Sequence, residues 1–298
     1  MPPLPWLMTI MQVRAAAILC LASVSALRPV TVLGGNGYVG SRVAELLVKQ
    51  GGLAVRSVSK SGKPPCGDPW TSEVEWVAND LTRGSREALE AAIGAPEVVV
   101  SCVGSIGFDG RYLELGNGVA NERAAEAVAK LPRPVDRYVY VSVAEEVAAA
   151  KGWLPGYFKF YFDGKRDAEA AIKGASPDGY AFVKPSFIYG GDSFGLWPPR
   201  VNGGYGSAIE EILSNGIITK IGDVLPGLLK VALRPPVSVD AVAQACVNLA
   251  LGAEGSVVDG AAAINAAAGA PKATGFSDFV SSAKATASDL SSKAQASS

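Results

Sequence analysis

The residues best suited to chemistry fall in three groups. In VTVLGGNGYVGSRVAELL, Gly34, Gly37 and Gly40 stand in G-x-x-G-x-x-G spacing between a β-branched run and an amphipathic run. Glycine permits the tight turn such a junction needs and lets backbone N–H groups approach a pyrophosphate, whose charge then sits at the positive end of the following helix. Asn36, Tyr38 and Val39 fill the same loop and are expected beside the phosphates. In GYFKFYFDGKRDAEAAI, Tyr161 and Lys165 lie at i and i+4, on one face of a helix. A free tyrosine, with a pKa of about 10, exchanges protons poorly at neutral pH until a nearby ammonium favours the phenolate. Lowering it by about three units corresponds to roughly 4 kcal/mol, a load that Lys165 and a cationic ring together could carry. The third group, AVRSVSKSGK, ends its β-like run on Ser59 and Lys60 and lacks the acidic residue that accepts from a ribose 2′-hydroxyl. Hydroxyl and ammonium donors fit a 2′-phosphate better than a bare diol.

Two further stretches extend this site. WVANDLTR places Asp80, with Leu81 beside it, either to accept from an adenine amino group or to cap the following helix. VVVSCVGSIGFDG ends a buried run on Ser101, Val103 and Gly104, small enough for the chain to pass close to a ribose and a nicotinamide. The expected ligand is a dinucleotide, with NADP(H) favoured over NAD(H).

Composition removes most other chemistry. The chain contains no histidine, which excludes Ser-His-Asp and Cys-His nucleophile systems, histidine general bases and histidine metal sites. Cys20, Cys66, Cys102 and Cys246 are far apart, with no C-x-x-C pair, so neither a metal site nor a disulfide framework is expected. With 27 basic and 28 acidic residues and a net charge of -1, there is no electrostatic reason to expect a nucleic-acid partner.

The elements that must position these residues follow from periodicity. Short β-branched runs alternate with Ala-rich amphipathic runs, the pattern of a parallel sheet with crossover helices. Strands are expected at 29–34, 54–59, 74–78, 97–103, 137–143 and 180–186, and helices at 38–50, 85–93, 117–130, 159–174 and 239–251. The expected class is α/β, a doubly wound parallel sheet spanning residues 27–260. Residues 190–236, rich in Gly, Pro and aromatics, break the alternation as a small substrate-covering lobe would. Residues 261–298 read as a low-complexity tail outside the core. Within it Phe276, Phe279, Val280, Ala283, Ala287 and Leu290 recur at helical steps, so the tail is either a thin amphipathic helix on a lipid surface or unstructured. Residues 1–26 carry Arg14, no acidic residue and an apolar run from Ala15 to Ala26, with Val24 and Ala26 at small-residue cleavage positions. They are read as a cleaved targeting segment, the alternative being a membrane anchor over Leu4 to Leu27.

Taken together, VTVLGGNGYVG, SVSKSGKPP, VVVSCVGSIG, NGVANERAAEAV, RYVYVSV, YFDGKRDAE, KPSFIYG and PPVSVDAVA resemble the short-chain dehydrogenase/reductase superfamily in its extended or atypical form, over about residues 30–250. Within it they are similar to a subgroup of NAD(P)-binding proteins from plastid lipid bodies, mitochondrial ubiquinone biosynthesis and the accessory part of respiratory complex I. The resemblance implies a Rossmann domain with Gly34, Gly37 and Gly40 as phosphate-loop glycines, Tyr161 and Lys165 as the catalytic-type pair, and Pro185 bordering the nicotinamide pocket. It also implies a Ser or Thr just beyond the fifth strand. Here VSVAEE offers Ser142 early and Ala144 near the expected place, and Lys184 stands where arginine is common. The function that follows is an organellar NAD(P)H-binding protein, plastid before mitochondrion. It either reduces a hydrophobic carbonyl or quinone-like compound, with Tyr161, Lys165 and Ser142 as the catalytic set, or serves without catalysis as a nucleotide-binding accessory factor. An epimerase of nucleotide sugars is a weaker third reading, because residues 190–236 offer no clear sugar-phosphate clamp. Tyr157, Phe158, Phe160 and Trp197 line an apolar pocket or belong to the core.

Overall fold

Sheet residues that alternate between two apolar faces must be covered by helices on both sides. The computed structural model describes residues 27–190 and 234–269, with residues 195–196, 199–200, 210 and 213–214 between them. The targeting segment 1–26, most of the lobe at 190–236 including Trp197, and the amphipathic pattern of the tail beyond 269 lie outside the described residues.

Seven strands form one parallel sheet: β1 (Arg28–Leu33), β2 (Leu53–Ser59), β3 (Val74–Ala78), β4 (Val98–Ser101), β5 (Arg137–Val141), β6 (Tyr180–Lys184) and β11 (Val257–Asp259), in the order β3-β2-β1-β4-β5-β6-β11. This is a doubly wound Rossmann fold. Register pairs Val30 with both Val55 and Val98, and Val99 with Tyr138. Alternation decides which face each residue joins. Val98, Val100, Val139 and Val141 pack beneath α1 (Tyr38–Gln50), α7 (Val239–Ala250) and α8 (Gly260–Ala268). Val99, Tyr138 and Tyr140 pack beneath α2 (Arg86–Ile93), α4 (Ala120–Val128) and α6 (Phe158–Ala175). Short pairs β7 (Ile188–Tyr189) with β10 (Val237–Ser238), and β8 (Gly195–Leu196) with β9 (Pro199–Arg200), complete the strands.

Three differences from expectation have local causes. The fourth strand stops at Ser101 rather than 103: the Cys102 N–H still bonds the Leu33 carbonyl at 2.9 Å, but the chain then leaves the sheet. The helix expected over 117–130 begins earlier, as α3 (Gly110–Glu114), where the Asp109 carboxylate caps the Arg111 and Tyr112 N–H groups. It runs through a π-helical turn at Leu115–Val119 into α4, and the Asn117–Gly118 pair in that turn, poor in helix propensity, conceals the continuity. Residues 261–268, assigned to the tail, form most of α8 and join the core, because Ile264 is fully buried against α7. A short α5 (Glu145–Ala149) follows β5.

Candidate functional site

Strand order reverses between β1 and β4, and the loops leaving these neighbouring strands diverge to opposite sides, opening a crevice at their carboxyl ends. Gly34, the first residue after β1, has φ +79°, a conformation open to glycine and strained for other residues. Gly40 sits in the first turn of α1, where a Cβ would stand 2.1 Å from the Gly34 carbonyl oxygen. Only glycine at 40 lets the helix N-terminus pack against the loop.

Two adjoining cavities occupy the crevice. The first, of about 490 Å³, is lined by Gly34, Asn36 and Gly37 on one side, Ser59 and Lys60 on another, and Asp80, Leu81, Val103 and Gly104 opposite. The second, of about 740 Å³, is lined by Tyr38, Val39, Ser142, Tyr161, Lys165 and Pro185. Gly37, Cys102, Gly104, Ser105 and Tyr112 belong to both walls. Among the nucleotide and catalytic candidates, Gly40 and Ser101 line neither: Gly40 acts through packing, and the buried Ser101 hydroxyl donates to Asn121 Oδ1 at 2.6 Å.

The first cavity fits a nucleotide. Its floor is the glycine loop at a helix N-terminus, and its wall includes Asn79, whose Oδ1 is buried and has no hydrogen-bond partner among the described residues. Lys60 pairs with Asp80 at 3.5 Å while its side chain stays 71% exposed, and Asn36 Nδ2 donates to Ser61 Oγ at 2.8 Å across the loop. Ser59 Oγ accepts from the Gly62 N–H at 3.2 Å. Burial pushes the Asp80 carboxyl up, but the Thr82 hydroxyl and N–H and the Lys60 ammonium outweigh it and hold the group below the ordinary carboxylate range. Asp80 does not cap the next helix: Ser85 does, accepting from the Ala88 N–H, while Asp80 ties the turn through Thr82.

The second cavity holds the tyrosine–lysine pair. Helix α6 reaches it because Gly164 lies against the π-helical turn, where a Cβ would meet the Gly118 nitrogen at 2.7 Å. Lys165 is buried, donates to the Val141 carbonyl at 2.9 Å and lies 4.7 Å from the centre of the Tyr140 ring. Burial lowers its ammonium to about 8, against the pull of Cys102 and Glu169. The depression expected for Tyr161 is absent: burial pushes its phenol up to about 12. Ser142 does reach the cavity wall, yet its hydroxyl donates to Glu169 Oε1 at 2.6 Å. Glu169 Oε2 in turn meets the buried Lys184 ammonium at 3.0 Å, which also contacts Glu145 at 3.1 Å.

Several wall residues went unrecognised in the sequence. Asn117, fully buried in the π-helical turn, donates to the Ser105 carbonyl and accepts from the Ser105 N–H, which fixes the loop beside Gly104. The apolar wall comes from Ile106, Phe108, Phe187 and Ile188, not from the three described aromatics named as candidates. Tyr157 stands behind the wall, edge-on to Phe108; Phe158 packs on Phe162; Phe160 covers Gly110. Leu-Gly-Asn-Gly at 115–118 is a readable signal for a broken helix; the aperiodic loop residues 105–109 give none.

The NAD(P)H-binding family matches residues 34–196, more than half of the chain. The chain belongs to that family. Its match begins at the first loop glycine and covers the nucleotide cleft, the Tyr161–Lys165 pair and Ser142. The uncharacterized chloroplastic protein At1g32220 of Arabidopsis thaliana is 32% identical over 230 residues, covering 74% of this chain and 70% of that protein. Among solved structures, a Burkholderia cenocepacia protein aligns with a TM-score of 0.53 at 19% identity over 82% of each chain. The Bordetella bronchiseptica enzyme WbmH, solved in complex with NAD+, aligns with a TM-score of 0.51 at 17% identity over 78% of this chain and 74% of that one. At these identities the structures share the fold. Among the described residues no helix is long and apolar enough to cross a membrane, and no cluster of acidic or thiol side chains could hold a metal ion.

Proposed function

We propose that this family member is a plastid oxidoreductase that interconverts a hydrophobic carbonyl or quinone-like compound and its alcohol, using NADP(H) in preference to NAD(H). The observation that carries the reading is that Tyr161 and Lys165 face the cavity that shares its wall with the nucleotide cleft. When bound, the dinucleotide supplies or takes the hydride. In the reducing direction Tyr161, whose phenol keeps its proton at neutral pH, donates that proton to the substrate oxygen; in the oxidising direction only its phenolate form takes the proton of the alcohol. Lys165, with one acceptor at Val141 and two N–H donors remaining, holds a ribose hydroxyl and favours the phenolate as it forms. Ile106, Phe108 and Phe187 give the opening an apolar rim suited to a hydrophobic substrate.

The preference for NADP(H) rests on Lys60, exposed and loosely paired, with no acidic side chain at the end of β2 to receive a ribose diol. The plastid assignment rests on the chloroplastic relative and on the targeting pattern of residues 1–26. It agrees with the finer resemblance to plastid lipid-body proteins.

One observation favours the rival reading, a non-catalytic nucleotide-binding accessory protein in quinone metabolism or electron transfer. The Ser142 proton is committed to Glu169, which removes a donor that a carbonyl reductase would use. Tyr161→Phe separates the two. An enzyme loses nucleotide-dependent turnover in a screen of carbonyls and alcohols while the nucleotide still raises Tm; undiminished biological activity with the nucleotide shift retained would establish the accessory role.

A further inference from the structure

We propose that Glu169 fixes the Ser142 hydroxyl as a hydrogen-bond acceptor toward the cavity, so that the site recognises its substrate through a hydroxyl group, as an alcohol or hydroquinone, and not through a carbonyl. This deepens the function proposed above and rests on it.

The argument is one of hydrogen count. A serine hydroxyl has a single hydrogen and two lone pairs, and an ionised carboxylate has only acceptors. Ser142 Oγ lies 2.6 Å from Glu169 Oε1, a distance typical of a charge-assisted O–H···O⁻ bond. The buried Lys184 ammonium lies 3.0 Å from Oε2, so each oxygen of the Glu169 carboxylate faces a donor, Ser142 on one side and Lys184 on the other. The one hydrogen of Ser142 therefore points to Glu169, and lone pairs are what remain for the cavity. Ser186, on the same cavity wall, is committed in the same way: its hydroxyl donates to the Pro235 carbonyl at 2.8 Å.

Tyr161 and Lys165 supply donors to the cavity. A substrate hydroxyl satisfies both kinds of group, giving its hydrogen to Ser142 and accepting from the Tyr161 phenol. A carbonyl oxygen in the same place satisfies Tyr161 but faces the lone pairs of Ser142. A buried polar group left without its partner corresponds to at least about a tenfold loss of affinity.

Glu169→Gln tests this because the replacement amide has a defined orientation. Lys184 has only donors, so the amide oxygen turns to it and the amide N–H groups face Ser142 Oγ. Ser142 then accepts from residue 169, and its own hydrogen is free for the cavity. Ser142→Ala removes both possibilities and stands in should Glu169→Gln fail to fold.

The probes are 1-tetralol and 1-tetralone, which share one apolar frame. Each is titrated calorimetrically into the full chain alone, and again with the nucleotide that cannot react with it, NADPH for the alcohol and NADP+ for the ketone. The difference in nucleotide cancels between wild type and variants. The expected result is an alcohol preference of about tenfold or more in the wild type, a ketone preference in Glu169→Gln, and a ratio near one in Ser142→Ala. The proposal is overturned by a ketone preference or no preference in the wild type, by a ratio unchanged across the three proteins, or by failure of 1-tetralol to bind the wild type. Absence of a Tm shift with nucleotide counts against the nucleotide reading alone, since the probe ratio in the nucleotide-free protein still reports on Ser142.

Discussion

Gly40→Ala is the most exacting test of the nucleotide loop, because one methyl group decides it. A Cβ at position 40 would lie 2.1 Å from the Gly34 oxygen, 2.8 Å from the Gly34 carbon and 2.9 Å from the Gly35 Cα. All three are backbone atoms, so no side chain can swing away. Relief requires α1 or the loop to move by about an ångström, and overpacking of this kind costs about 1–3 kcal/mol. Gly35 cannot retreat, since its own face lies against Ser57, and Gly34 is already held at φ +79°. For a domain of this size each kcal/mol shifts Tm by about 2–4 °C, so the variant should melt about 2–12 °C lower than wild type. The loop movement should also displace the N–H groups that meet the pyrophosphate. The Tm increase given by 1 mM NADPH, a measure of binding to the folded state alone, should then fall to near zero. Gly174→Ala is the control: it lies in α6 with open space where its Cβ would stand, and helix propensity predicts a gain of about 0.5–1 kcal/mol with the nucleotide shift intact. If Gly40→Ala melts with wild type and keeps the full NADPH shift, the close approach of helix and loop is not what builds the site.

Other expectations follow from single groups. Nucleotide affinity should fall as pH rises through about 8, where the Lys165 ammonium loses its proton, and Lys165→Met should flatten that profile in a fluorescence titration. The same lowering from the ordinary 10.5 means that Lys165 opposes folding below pH 8. In chemical denaturation its penalty should fade between about 8 and 10.5, as the unfolded chain comes to bind the extra proton. Tyr138→Phe should raise stability by about 1 kcal/mol, because the Tyr138 hydroxyl is buried with no hydrogen-bond partner among the described residues; a lower Tm would refute this. Lys60→Ala should weaken NADPH about tenfold and leave NADH unchanged, and equal loss for both would place Lys60 outside the 2′-phosphate position.

What the sequence discloses is what the backbone period dictates. The alternation in VVVS and RYVYV assigns Val98, Val100, Val139 and Val141 to one face and Val99, Tyr138 and Tyr140 to the other, and the two packed layers follow it residue by residue. The glycine loop and the Tyr161–Lys165 pair are legible for the same reason, since each is a fixed spacing on one element. The strand β11 escapes notice because three residues are too few to show a period. The loop residues 105–109 escape it because they have none, and the apolar rim goes with them. Pairings across the sheet are hidden for a different reason. Ser142 and Glu169 are 27 residues apart, and they meet because β5 and β6 are neighbours and α6 crosses above them. Yet that pairing, more than any motif, governs whether Ser142 offers a hydrogen or a lone pair. On the proposed reading, substrate chemistry turns on Glu169, which closes the YFDGKRDAE stretch but whose partner Ser142 lies on another element. On that reading, a chain with the Tyr161–Lys165 pair intact but an apolar residue at 169 would present Ser142 as a donor and take carbonyls, so the pair by itself does not define the substrate.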